Sequence, residues 1–260
     1  MYPYTYRRIR MVHTWKVKIP ALSGDVQRLV YLYLPDGWKT SGKRYPVLYM
    51  FDGHNVFFDS HATYGKSWGM GEYMDESQKQ MIIVAVECNH EGNRRLSEYS
   101  PVDFAHPEIG QISGCGKQYM DWLVHTLKPY IDANYPTLTE REHTSIAGSS
   151  MGGLMSLYAV CHYNDVFQKA ACISPSFWVA KDRILDMVAD SDIAADSSVY
   201  IDYGSLELPD HSNNSEALFS VARLLLTRRA RVALKIVPGG AHNESSWQKQ
   251  IPHFMEYLAL

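Results

Sequence analysis

Hydrophobic residues along this chain are grouped in two ways. Short, nearly unbroken apolar runs occur at Pro46 to Phe51, Met81 to Glu87, Thr144 to Ala147, Ala170 to Ser174, Val199 to Tyr203 and Val232 to Val237. Strands covered on both faces read this way, because both rows of side chains meet a core. Longer stretches at Lys117 to Ala133, Gly152 to Cys161, Arg183 to Ala189, Glu216 to Arg229 and Ser246 to Leu260 carry a helical pattern. In the first of these, Tyr119, Leu123, Leu127 and Tyr130 recur at three- and four-residue spacing, which predicts one apolar helix face. Ahead of them all, Arg10 to Lys18 and Gln27 to Leu34 are rich in β-branched and aromatic residues. They are separated by the turn chemistry of Pro20 to Asp25 and closed by Pro35-Asp36-Gly37. Strand, helix, strand in succession predicts an α/β fold: a mostly parallel central sheet with helices on both faces and antiparallel N-terminal edge strands.

Composition narrows the class. The 260 residues are 46% apolar and 20% charged, which is globular composition and excludes a disordered or collagen-like chain. Net charge is 25 − 28 = −3, too weak a field for nucleic acid or an anionic membrane to be the main partner. No repeat, low-complexity tract or long Pro/Gly linker divides the chain, so one domain over residues 1–260 is expected. No apolar run reaches the ~20 residues of a membrane span. Met1 to Arg8 lacks the apolar stretch of a secretory signal, which predicts a cytoplasmic protein. Cys88, Cys115, Cys161 and Cys172 are scattered and form no Cys-x-x-Cys pair, so a reduced state is expected.

Two segments match Gly-x-Ser-x-Gly. Gly65-Lys66-Ser67-Trp68-Gly69 follows no apolar strand, and as a phosphate loop it fails because Ser60 stands where that motif needs Gly. Ser67 therefore reads as a loop serine. Gly148-Ser149-Ser150-Met151-Gly152 follows the run ending at Ala147 and opens the apolar helix beginning near Gly152. Strand, tight turn and helix form the context a nucleophile elbow demands, with small residues where neighbouring backbones crowd. The turn would expose the Ser150 hydroxyl beside the free N–H groups of the following helix. The blander alternative is a Gly-rich packing turn with an idle serine.

A serine needs a base, and an α/β-hydrolase supplies partners in the chain order Ser, acid, His. His242, in Gly239-Gly240-Ala241-His242 after the last apolar run, meets that order. His211 is the rival. Glu207, in the loop leaving Val199 to Tyr203, is the favoured acid, with Asp210 just behind it and Asp202 inside the run. Oxyanion donors are expected from the N–H of Met151 and, in the loop Asp52-Gly53-His54-Asn55, from the N–H of His54. Phe57, Phe177 and Trp178 are candidate substrate-pocket walls, whereas Phe58 and Trp68 read more readily as core. The sequence has no His-Glu-x-x-His, no Cys/His cluster at zinc spacing and no Gly-x-Gly-x-x-Gly, so no metal and no other cofactor is expected.

At these residues the chain resembles the esterase family of α/β-hydrolases that includes feruloyl esterases, siderophore esterases, S-formylglutathione hydrolase and the antigen 85 mycolyltransferases. The resemblance is carried by Tyr45-Pro46-Val47-Leu48-Tyr49-Met50-Phe51-Asp52-Gly53, Arg95-Leu96-Ser97-Glu98-Tyr99-Ser100-Pro101, Gly148 to Gly153, Ser174-Pro175-Ser176-Phe177-Trp178, Gly204-Ser205-Leu206-Glu207 and Gly240-Ala241-His242. It implies an α/β-hydrolase fold and a Ser150/Glu207/His242 hydrolase of carboxylic esters working through an acyl-enzyme. The expected partner is a small-molecule ester of aryl, acetyl or sugar-linked type, and a homo-oligomer is left open. An acyltransferase on the same residues and a siderophore trilactone esterase are the alternatives. A non-catalytic binding protein on this fold is a third reading.

Overall fold

The computed structural model describes residues 12–106, 108–207 and 212–259. Eight strands form the central sheet: β1 (Val12–Lys18), β2 (Gln27–Tyr33), β3 (Val47–Met50), β4 (Ile82–Val86), β7 (Thr144–Ser149), β8 (Lys169–Ile173), β9 (Ser198–Gly204) and β10 (Arg231–Val237). β5 (Phe104–His106) and β6 (Gly110–Ile112) pair as a separate antiparallel hairpin. The sheet order is β1-β2-β4-β3-β7-β8-β9-β10. β1 and β2 join antiparallel, as do β2 and β4, and every later pairing is parallel.

Side-chain alternation divides the central strands between two cores. Val47 and Tyr49 of β3, with Ile82, Val84 and Val86 of β4, enter the core that also holds the helix Met151–His162. Leu48, Met50, Ile83 and Ala85 enter the core on the opposite face, shared with residues of Met70–Ser77 and Ile251–Ala259. This is the two-residue period of a strand with apolar residues at every position, which explains the unbroken runs. Edge strand β1 instead exposes His13, Thr14, Lys16 and Lys18. The helix Met151–His162 is buried from Met151 through Cys161, as an all-round apolar helix must be.

Four local departures from the sequence reading have identifiable causes. The stretch Lys117 to Ala133 folds as Gly116–Trp122, a π-helical turn Leu123–Leu127 and Lys128–Asn134. The wider turn shifts the phase of the stripe, so Ile131 is buried beside Leu127 while Tyr130 stands 48% exposed. The C-terminal stretch breaks into Glu244–Gln248 and Ile251–Ala259, with Pro252 in the first turn of the second helix, where its missing N–H is harmless. Pro20–Ser23 is a single helical turn led by Pro20. Arg94–Glu98 is a helix that no apolar period announces, because charged residues make up most of it. Its Glu98 pairs with Arg28 of β2 in a buried ion pair that Ser23 Oγ also supports, at 3.1 Å from Arg28 Nη2. That pair pins the helix to the sheet.

Candidate active site

Parallel α/β sheets place their sites at the C-terminal ends of the strands, and there β7 turns sharply into the helix Met151–His162. Ser150 occupies the turn with φ 58° and ψ −123°, a conformation that costs on the order of 1–3 kcal/mol for an L-residue and persists where surrounding structure enforces it. The Ser150 N–H donates to the Ile173 carbonyl at 3.0 Å, and its own carbonyl accepts from Leu154 and Ser176 N–H groups, each at 3.1 Å. A Cβ on Gly148 would lie 2.7 Å from the Gly152 backbone, so the turn closes this tightly only with glycine there.

β9 and β10 deliver two further groups. Glu207 follows β9 and is buried, 4% exposed. One carboxylate oxygen sits 2.6 Å from His242 Nδ1. The other accepts from the Gly204 N–H at 2.9 Å and the Ser174 hydroxyl at 2.7 Å, and Ser174 Oγ in turn accepts from Trp247 Nε1 at 3.0 Å. His242 lies on the loop between β10 and Glu244–Gln248, with the Trp247 ring packed edge-on at 5.0 Å. Ser150 and His242 line one cavity of about 640 Å³. The Ser150 hydroxyl is hydrogen-bonded to Ser176 Oγ at 3.2 Å, while His242 is held by Glu207. A free site commonly keeps such a pair loose until substrate draws it together.

Asp202 stands elsewhere. It is buried within β9, its Oδ1 lies 3.3 Å from the Ser174 N–H, and its Oδ2 has no hydrogen-bond partner among the described residues. Burial pushes its carboxyl up from 3.8 to about 7. Between those values the folded protein keeps a proton that the unfolded chain has released, so stability falls as pH rises through the window, by about 1.4 kcal/mol per pH unit. Asp202→Asn should flatten that slope in urea unfolding measured from pH 4 to 7, and an unchanged slope would assign it to another group. Asp210 and His211 lie outside the described residues.

The loop after β3 reaches the elbow from the other side. Gly53–Asn55 forms a 3-10 turn whose leading N–H groups have no carbonyl within the turn, and Asp52 enters it with φ 55°. Arg95 clamps Asp52 with Nε to Oδ1 and Nη2 to Oδ2, both 2.7 Å. Burial pushes the Asp52 carboxyl up, but the guanidinium outweighs it and holds the group below its ordinary value. Burial also lowers the pKa of His54, favouring the neutral ring. Met151, first residue of the helix beyond Ser150, is buried at the same corner.

The model of the "Putative esterase" family matches residues 23–258. The chain belongs to this family. Its relatives include the uncharacterised protein YbbA of Bacillus subtilis, 26% identical over 149 residues covering 56% of each chain. Esterase Rv1288 of Mycobacterium tuberculosis is 31% identical over 142 residues, 55% of this chain and 28% of that one. The match thus spans about half the length of the first relative and just over a quarter of the second. Among solved structures, the IroE-like serine hydrolase from Shewanella oneidensis superposes with TM-score 0.73 at 18% identity, over 94% of this esterase-family chain and 80% of that one. The fold is that of α/β-hydrolase esterases. No helix among the described residues is long and apolar enough to cross a membrane.

In this esterase-family chain the pocket wall differs from the sequence reading. Phe57 and Phe177 are core residues, 1% and 0% exposed, because the strand-end turns that carry them fold inward. Phe57 packs on Tyr31 instead of on the cavity. Trp178, half-buried in the turn Phe177–Ala180, is likewise not among the residues lining the 640 Å³ cavity. Trp68 is core, against Trp247. Ser67 is a buried loop residue whose hydroxyl donates to Asp59 at 2.7 Å. Polar and apolar surface share the cavity wall about equally: Lys66, Asn89, His90, Arg95 and Glu244 line it, together with Tyr64 and Trp247. Sequence reasoning also missed the cluster of His54, Cys88 and His90, since His54 comes from a different loop and no local spacing joins it to the other two.

Proposed function

We propose that this chain is a serine carboxylic-ester hydrolase acting through an acyl-enzyme on small esters with a polar, acetyl or sugar-linked character. Ser150 Oγ attacks the ester carbonyl carbon as its proton passes to His242 Nε2. Glu207 fixes the ring through Nδ1–H and stabilises the imidazolium. Met151 and His54 N–H groups receive the developing oxyanion, and one such donor is worth ~3 kcal/mol of barrier. Collapse of the tetrahedral intermediate releases the alcohol, which takes the proton from His242. Water, deprotonated by His242, then attacks the acyl carbon and frees the acid, and Ser150 recovers its proton.

The observation that carries this reading is the 2.6 Å Glu207–His242 bond opening onto the same cavity as the strained Ser150. The charged and hydrogen-bonding side chains in the wall suit an ester whose acyl or alcohol half carries hydroxyl groups. The names of the mycobacterial esterase and the Shewanella serine hydrolase are in keeping with that chemistry.

Fluorophosphonate labelling followed by peptide mapping should place the adduct on Ser150. A panel of acetylated sugars, feruloyl esters and trilactones should then show the highest kcat/KM for the acetylated sugars. An adduct on another serine, or none, would reject the assignment. A feruloyl or trilactone preference would reject the substrate class alone.

A further inference from the structure

His54, Cys88 and His90 offer one donor atom each, all within 4.8 Å of one another, on the wall of the same cavity. They arrive from two loops, one following β3 and one following β4. Each histidine has one nitrogen already held by an oxygen. His54 Nε2 lies 3.0 Å from Thr63 Oγ1, and His90 Nε2 lies 3.1 Å from Glu87 Oε1. Glu87 is itself anchored, its other oxygen accepting from the Leu29 N–H at 2.8 Å. A carboxylate behind a histidine is the arrangement that orients metal-binding imidazoles, because it fixes the tautomer and leaves the second nitrogen's lone pair free.

The remaining nitrogen is Nδ1 in both rings. His54 is 4% exposed, and its Nδ1 is buried with no hydrogen-bond partner among the described residues. A buried ring nitrogen left without a partner is unfavourable, and a ligand would relieve it. The two rings meet edge-on with centroids 4.5 Å apart, and the buried Cys88 thiol completes the group. Two nitrogens and a sulfur around a tetrahedral Zn²⁺ sit about 3.3–3.6 Å from each other, given Zn–N bonds of about 2.0–2.1 Å and a Zn–S bond of about 2.3 Å. With donor atoms within 4.8 Å of one another, closing the cluster asks roughly 1–1.5 Å of movement, and the exposed His90 side chain can turn to present its free nitrogen.

We propose that His54 Nδ1, His90 Nδ1 and Cys88 Sγ form a three-ligand site for a borderline-soft divalent cation such as Zn²⁺. Binding forms one Zn–S and two Zn–N bonds, releases the Cys88 thiol proton to solvent and changes no oxidation state. A fourth position is left for water or an anion at the cavity wall. Resting on the hydrolase reading, a cation there hinders the ester from reaching Ser150, so the site is one of reversible inhibition.

The test is a Co²⁺ titration of the full chain followed by absorbance, with Zn²⁺ as competitor. One equivalent should produce a thiolate-to-cobalt charge-transfer band that Zn²⁺ removes. Cys88→Ser should abolish the band, and His90→Ala, at an exposed position that leaves the core intact, should weaken binding at least tenfold. Cys115→Ser and His242→Ala should keep the band. Its absence in the unaltered chain, its survival in Cys88→Ser, or its loss in His242→Ala would overturn the site. Zn²⁺ should reduce ester turnover in the unaltered chain and much less in His90→Ala. A bound cation without effect on turnover removes the inhibitory role. If the metal-free protein hydrolyses no ester, the hydrolase reading fails while the Co²⁺ result stands.

Discussion

Replacing Ser150 with Ala is expected to lower kcat for p-nitrophenyl acetate by about 10⁴- to 10⁶-fold, because a nucleophile and its base act as a unit and losing either removes nearly all of their joint contribution. The residual rate would come from the backbone donors and from binding. The fold should be indifferent. Ser150 donates and accepts through its backbone to Ile173, Leu154 and Ser176, bonds that Ala retains, and among the described residues its hydroxyl bonds to Ser176 Oγ. Unfolding free energy should therefore stay within about 1 kcal/mol of the parent in urea. A variant holding more than a few per cent of the parent rate would show that the chemistry lies elsewhere.

Glu207→Gln is expected to lower kcat by about 10³- to 10⁴-fold with KM little changed, for a reason visible in its hydrogen bonds. Glu207 Oε1 accepts from Gly204 N–H and Ser174 Oγ–H, so the Gln carbonyl would take that place and its NH₂ would face His242 Nδ1. An NH₂ there requires the tautomer with Nδ1 as acceptor. Nε2 then carries the proton and cannot take one from Ser150. Stopped-assay kinetics with thermal unfolding alongside would separate this from misfolding. Activity within tenfold of the parent would move the acid to another residue.

Where the chain had to bury two strand faces, its sequence was legible. The parallel strands and the elbow follow from local apolar runs and from glycine crowding at Gly148, and the chain order of Ser150, Glu207 and His242 follows from where the loops fall. Glu207 is favoured by its place in the loop leaving β9, and in the structure it is the carboxyl 2.6 Å from His242 Nδ1, whereas Asp202 is held within the strand beside the Ser174 N–H. The pocket wall was harder. Phe57, Phe177 and Trp178 sit at strand ends, where sequence distinguishes poorly between a ring turned inward and one lining a cavity. Arg95 carries no periodic signal, and its role depends on Asp52, forty-three positions away. The π turn at Leu123–Leu127 moved the buried position from Tyr130 to Ile131 without any residue that announces it.

The short helix Arg94–Glu98 holds Asp52 through Arg95 and Arg28 through Glu98, three positions apart on one turn. Arg28 and Glu98 are both buried, so removing one strands its partner's charge at a cost of about 3–5 kcal/mol, whereas replacing both together is often neutral; the Arg95 side chain is 30% exposed, and water softens the loss at that pair. Evolutionary drift at this corner is thus channelled: positions 28 and 98 should change as a couple or not at all, and 52 and 95 should be coupled more weakly. Laboratory diversification of the loop after β3 would have to mutate such partners jointly to keep folded variants.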